Sequence, residues 1–352
     1  MKGFGQVLDS RGAYIFYFQG FQKGEGNMKF IALLRHLSFI AVLFIISLGV
    51  CLFGTYSAQG YDLPAVNLGF TSFLDGGPPA GPGFYFTEYF QYYTSDRFND
   101  ENGDRLLPST ADEDLDVFIS LNQFIYQTNW KIPFLGRPGL DVIIPYVAID
   151  LDYGTAGPFE DNKDGLGDIL VGPFLQWDPI MGKKGPIFMC RVEFQMIFPT
   201  GKYDSDRELN PGSNFFSFNP YFSGTLFLTP KWTLSTRVHY LWNDENDDPN
   251  RYFIGADDTQ AGQAIHLNFC SAYEIWPKRL RIGLNGYYLK QLTATEVDGD
   301  DVGRREQVLG LGPGAVFHLS RDTHFFFNAY FETSVENRPE GERFNFRVVH
   351  HF

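Results

Sequence analysis

Positive charge is scarce in this chain. It has 28 Lys and Arg against 42 Asp and Glu in 352 residues, a formal charge of −14. A nucleic-acid partner, which requires a basic face, is not expected. Cysteine is scarcer still, and three cysteines rule out a disulfide scaffold. Long apolar runs are absent but for one near the start, so the chain is not a bundle of membrane helices. After residue 60 no stretch shows the 3.6-residue period of a capped amphipathic helix. Catalytic signatures are missing too: there is no Gly-x-Ser-x-Gly, no His-Glu-x-x-His and no phosphate loop. Gly310-Leu311-Gly312-Pro313-Gly314 has the glycine content of such a loop but sits inside an alternating stretch, where glycines thin a wall or let it bend. A ring-opening oxygenase would need two His and a carboxylate on one metal. His239 and His266 share a face, yet they read as polar wall residues. No catalytic residue, metal or cofactor is expected, and the chain reads as a non-enzyme.

What the chain has instead is aromatic and glycine content, with 37 Phe and 37 Gly. The single apolar run lies at 37–53. It follows Met28, Lys29 and Arg35 and precedes the small residues Gly54, Ser57 and Ala58. Basic, apolar, small is the order of a secretory signal, so 28–60 reads as a signal peptide cleaved after Gly60, with an uncleaved anchor as the alternative. Residues 1–27 lie upstream of a complete signal and read as an extension from a mis-assigned start. Cleavage would remove 5 of the 28 basic and 2 of the 42 acidic residues, leaving an exported chain of charge −17.

From Gly83 onward one plan repeats. Stretches of about ten residues alternate apolar and polar, the period of a strand. Residues 188–198 set Phe188, Cys190, Val192, Phe194 and Met196 against Arg191, Glu193 and Gln195. Residues 232–242 set Trp232, Leu234, Val238 and Tyr240 against Thr233, Ser235, Arg237 and His239. Twelve strands are expected, near 84–94, 115–129, 140–153, 168–177, 187–198, 215–228, 232–242, 262–275, 279–292, 307–318, 323–335 and 343–352. Two resist the pattern. In the first, Glu88 falls on the apolar parity. In the third, Pro145 and a nearly continuous apolar run hide the faces, and a bulge there is one remedy. Short connections with Lys183, Lys231, Lys278 and Arg321 alternate with long acidic ones such as 95–114 and 243–261.

Alternation alone does not separate a soluble sandwich from a membrane barrel. Short turns opposite long loops, aromatics at strand ends (Trp177, Trp232, Tyr240, Trp242) and strands long enough to cross a bilayer when tilted favour the barrel. The expected fold is all-β: an up-and-down antiparallel transmembrane barrel over 83–352, of outer-membrane type. Phe352, on the parity of Phe344 and Phe346, is the expected signal to the barrel assembly machinery. The lead at 61–82 is too rich in Gly and Pro to be a wall strand; it is expected in the periplasm or in the lumen as a partial plug. The long acidic loops read as solvated and disordered, at the cell surface.

Four pieces of sequence carry a resemblance. They are Gly167-Asp168-Ile169-Leu170-Val171-Gly172-Pro173, Pro199-Thr200-Gly201-Lys202-Tyr203-Asp204, Gly212-Ser213-Asn214, and Asn285-Gly286-Tyr287-Tyr288 with Gln291-Leu292. In this order and spacing the chain resembles the phenol meta-pathway degradation family. The resemblance implies an outer-membrane barrel that takes up hydrophobic or aromatic molecules. Parity nominates a lumen set: Arg191, Glu193, Asn219, Tyr221, Arg237, His239, His266, Arg281, Tyr287, Glu332, Arg343 and Arg347. These residues either pair and fill a narrow lumen or line a solute path. In the second case the Arg groups set preference and Tyr221, Tyr287 and Tyr330 offer stacking faces. The expected function is a passive channel for small hydrophobic or aromatic compounds. A structural or surface-interaction barrel with a plugged lumen is the alternative, and a barrel enzyme comes third. Expected partners are outer-membrane lipid and lipopolysaccharide, and small aromatic solutes.

Overall fold

The computed structural model describes residues 6–8, 14–16, 62–78, 80–106, 113–152, 161–253 and 255–352. The signal peptide expected at 28–60 lies outside the described residues, as does the extension at 1–27 but for a short antiparallel pair, Gln6–Leu8 with Tyr14–Phe16.

Twelve antiparallel staves form the wall. They are β1 (Gly83–Ser95), β2 (Asp114–Gln127), β3 (Arg137–Asp152), β4 (Ile169–Gln176), β5 (Gly185–Glu193 and Met196–Phe198), β6 (Ser217–Phe218 and Tyr221–Phe227), β7 (Trp232–Asn243), β8 (Ala264–Trp276), β9 (Leu280–Gln291), β10 (Gln307–His318), β11 (Thr323–Glu336) and β12 (Glu342–His351). Each pairs with its neighbours in sequence, and β12 closes on β1 from Glu342↔Thr94 to His351↔Tyr85. Closure leaves no strand edge unpaired, as hydrocarbon requires.

The wall is inside-out by the standard of a soluble protein. Gln91, Glu193, His266 and Asn285 are 0% exposed within it, while Leu284 is 58%, and Phe327 and Phe331 are each 52%, exposed outside. A band of large apolar side chains around a polar interior is stable only against lipid. Glu88 does face outward, between the ring pairs Phe86–Phe124 and Phe90–Phe118, where Ser120 Oγ donates to its carboxylate at 2.7 Å.

The second irregularity has a different cause from the bulge expected at Pro145. β3 is continuous through Pro145, and the extra residue lies on the adjacent segment that pairs with it. Asp164–Leu166 pairs with Ala148, Val147 and Tyr146, but β4 resumes with Leu170 opposite Ile143. The shift at Gly167 and Asp168 turns Asp168 inward. Its carboxylate accepts from Gly201 N (2.9 Å), Ser213 N (2.7 Å) and Ser213 Oγ (2.5 Å). A Cβ on Gly201 would meet the Gly212 Cα at 2.8 Å. Three of the four sequence pieces singled out above therefore meet at one structural knot. β5 pauses at Phe194, which lies opposite Pro173 on one side and Pro220 on the other; neither proline has an N–H to give. The register is unchanged across the pause, since Glu193↔Phe174 and Met196↔Val171 belong to one frame.

Residues 62–78 and 80–82 form a strap through the barrel, and Leu63, Leu68, Phe70 and Phe73 are buried there. The long loops are ordered where described, against the expectation of disorder. Glu245–Asn246, Thr259–Gln260, Glu296–Val297 and Asp300–Asp301 join in a four-stranded sheet at the long-loop end. Pairing satisfies the backbone of two loops at once, which their acidic composition did not reveal.

Candidate functional site

The strap divides the lumen and is tied down along its length. At the long-loop rim Asp62 N and Leu63 N donate to Glu306 Oε1 at 3.2 and 3.4 Å, and Thr295 Oγ1 donates to Asp62. Arg338 pairs with Glu306 at 3.1 Å. Burial pushes both carboxyls up, Asp62 to about 6 and Glu306 to about 7. Midway, Gly69 N donates to Asn268 Oδ1 at 2.7 Å, and its carbonyl accepts from Asn345 Nδ2 (2.6 Å) and Tyr330 Oη (3.0 Å). Gly69 has φ +80°, and a Cβ there would lie 2.7 Å from the Tyr330 ring, so both the turn and the close approach require glycine. Lower down, Asp75 takes a bidentate bond from Arg237 at 2.7 Å to each oxygen, and Gly76 N donates to Thr225 Oγ1 at 2.9 Å.

All twelve residues of the lumen set project inward, in separate groups rather than as one path. Arg343 Nε lies 3.1 Å from Glu332 Oε1, and Tyr287 and Tyr93 both donate to Glu332. Tyr221 Oη donates to Glu193 at 2.6 Å, and Arg191 stands 3.8 Å from the same carboxylate. His239 and His266 stack at 4.2 Å, and His266 Nε2 meets Asn219 Oδ1 at 3.0 Å. Arg281 lies at the short-turn end, paired with Glu274. The tyrosines expected to offer stacking faces are buried against the strap and its supports, because each hydroxyl is already spent on Glu193, Glu332 or Gly69. No group of three or more His, Cys, Asp or Glu placed to hold a metal ion occurs among the described residues. The glycines of β10 give room inside the wall: a Cβ on Gly310 would strike the Tyr287 ring at 2.3 Å.

Two spaces remain. The upper chamber, toward the long loops, encloses about 210 Å³. One side of its wall is apolar, with Val117, Ile119 and Leu121 of β2, Ile143 and Val147 of β3, and Phe70 of the strap, and polar side chains such as Asn67, Gln195 and Arg338 complete the lining. The continuous apolar run of β3 thus has two apolar faces, one toward lipid and one toward this chamber. That run was the sequence signal for the chamber, and parity alone did not read it. The lower vestibule, toward the short turns, encloses about 1070 Å³ and is lined by charged and aromatic side chains. Tyr89, Gln123 and Arg237 border both spaces and so form the partition. Tyr89 Oη donates to Gln123 Oε1 at 2.9 Å, and Gln123 Nε2 donates to Asp141 at 2.6 Å. Tyr89, Gln123, Asp141 and Asp75 lay outside the sequence-derived set, because their partners come from distant strands and the strap.

Among solved structures, the COG4313 outer membrane channel from Pseudomonas putida F1 is similar in fold. It has a TM-score of 0.66 at 17% identity, with 82% of this chain and 100% of that chain covered. The β domain of the Bordetella autotransporter BrkA matches more loosely, with a TM-score of 0.45, 10% identity, and 77% and 100% of the two chains covered. No curated protein matches the chain. The fold is that of an outer-membrane channel. The family model described as "Putative MetA-pathway of phenol degradation" matches residues 95–348, and the chain belongs to that family.

Proposed function

We propose that this barrel admits small aromatic or hydrophobic compounds passively across the outer membrane, long loops outward, with the upper chamber as the holding site. One observation carries the reading: a chamber of about 210 Å³ with an apolar side built by β2, β3 and Phe70. A dry cavity of about 150 Å³ lined by Leu, Ile and Phe takes up benzene, so one substituted ring fits here. Burial of a ring on apolar walls needs no directed contacts. The gate is then the partition, where the Tyr89–Gln123 bond and the Arg237–Asp75 pair stand between chamber and vestibule. Ile119→Trp fills the chamber from the wall. Uptake of labelled phenol and toluene by cells with an intact lipopolysaccharide layer should rise on expression of the wild-type barrel and fall toward background with Ile119→Trp. Equal uptake with and without the protein would defeat the reading.

The strap supports a second reading, a barrel whose lumen is closed and whose role lies at its surface. Its bonds at Glu306, Asn268, Asn345, Thr225 and Arg237 are those of a fixed plug. That reading requires that the wild-type protein pass no solute at all.

A further inference from the structure

Arg347 of β12 is the one lumen arginine left without an acidic partner among the described residues. Arg191 stands near Glu193, Arg237 holds Asp75, Arg281 holds Glu274 and Arg343 holds Glu332. Arg347 is 7% exposed, and its Nε is buried with no hydrogen-bond partner. Its guanidinium lies 3.6 Å over the Phe326 ring and 5.5 Å from that of Tyr89. Ring faces attract a cation without satisfying its N–H donors, and the Tyr89 hydroxyl, which also meets the guanidinium, brings no negative charge to it. The side chain borders the lower vestibule just beneath the partition. The rim gives the space its sign. Lys278, Arg279 and Arg321 stand at the short-turn rim against Asp322 alone, in a chain whose formal charge is −14. His324, also on the lining, has a buried Nε2 without a partner.

We infer that the vestibule holds a carboxylate-binding site centred on Arg347, and that its ligand is a small aromatic acid. The planar guanidinium offers two parallel donors to a carboxylate. The Phe326, Tyr85 and Tyr89 side chains on the same lining offer apolar area to the attached ring. Low-dielectric walls strengthen an uncompensated charge in a confined space. The site lies on the far side of the partition from the upper chamber. It rests on the uptake reading for its route of access, and it adds an acid-selective step to it.

The test is binding to the purified full-length barrel in detergent at low salt, read by calorimetry. The probes are benzoate, benzyl alcohol, acetate and chloride. Benzoate should bind at least tenfold more tightly than benzyl alcohol or acetate, and Arg347→Gln should remove that advantage while Lys131→Gln, on an exposed turn away from the vestibule, keeps it. Folding of each variant is read from heat-modifiable migration on gels. If Arg347→Gln fails that check, added salt replaces it: benzoate binding must weaken steeply between low and high ionic strength. The proposal is overturned if benzoate and benzyl alcohol bind alike, if acetate or chloride binds as well as benzoate, or if Arg347→Gln binds benzoate normally. Benzyl alcohol binding that is lost in Ile119→Trp reports on the chamber alone, so failure of the uptake reading is told apart from failure of this site.

Discussion

The pair that joins the strap to the wall is nearly dry: the Arg237 and Asp75 side chains are 11% and 7% exposed, with both carboxylate oxygens engaged. Such a pair is weak evidence for net stability, but removing one partner strands the other and costs about 3–5 kcal/mol. Asp75→Asn should therefore loosen the strap without touching the wall. In planar bilayers its conductance should rise several-fold over the wild type, with an unchanged melting profile of the barrel; an unchanged conductance would mean that Arg237 does not hold the gate. The reversal Arg237→Glu, facing Asp75, should open the lumen further. It should not act as a simple change of ion preference, because Arg237 is no free charge in a solute path but one half of a latch. The cysteines are a second case at this scale. Cys190 is half-buried on the outer parity of β5, Cys270 is buried inside on β8, and both are free. Titration without reductant should find two thiols on these residues once the barrel is unfolded, and Cys270 should be shielded while it is folded.

Among the wall elements, β1 carries a defect on its lipid face. Glu88 sits in the middle of the strand amid phenylalanines, with Ser120 as its one hydrogen-bond partner among the described residues. Acidic groups on the lipid face of a barrel cost less than basic ones, which reach about 2–4 kcal/mol at the midplane. Glu88→Leu should raise stability by about 1 kcal/mol, seen as a higher urea midpoint for refolding into lipid vesicles. A lower midpoint would show that Glu88 has a partner in the membrane. The sequence marked this position as an exception to alternation, and it is one. β3 is the opposite case: it has no defect, only two apolar faces, and reading it required knowing that the lumen is not polar throughout.

Across the whole molecule, the strap's long-loop end is set by two buried carboxyls, Asp62 and Glu306, facing Arg304 and Arg338. Both have folded values above their ordinary 3.8 and 4.5. The docked state thus binds protons more tightly than the released one. The stabilisation is complete below about pH 4 and is lost as pH rises through about 6 to 7. The strap should be held at pH 5 and looser at pH 8. Hydrogen exchange at the Asp62 and Leu63 amides, corrected for intrinsic rate, should speed up by roughly tenfold or more over that span. Exchange that is flat or slower at pH 8 would contradict it. Asp62→Asn should flatten the profile.

By itself the sequence determined the wall. A period of two, the alternation of turn and loop length and the aromatic strand ends are local properties, since each side chain's face follows from its place in its own strand. That is why the twelve strands and the inward parity of Arg191, Glu193, His239 and the rest were legible. What occupies the lumen was decided only by tertiary structure. Asp75 meets Arg237 across 162 positions, and Gly69 meets Asn345 across 276. Separations of that size leave no periodic trace. The same holds for the lumen arginine without an acidic partner: by strand parity Arg347 looks like Arg343 and Arg237, and only the folded wall shows that no carboxylate reaches it among the described residues.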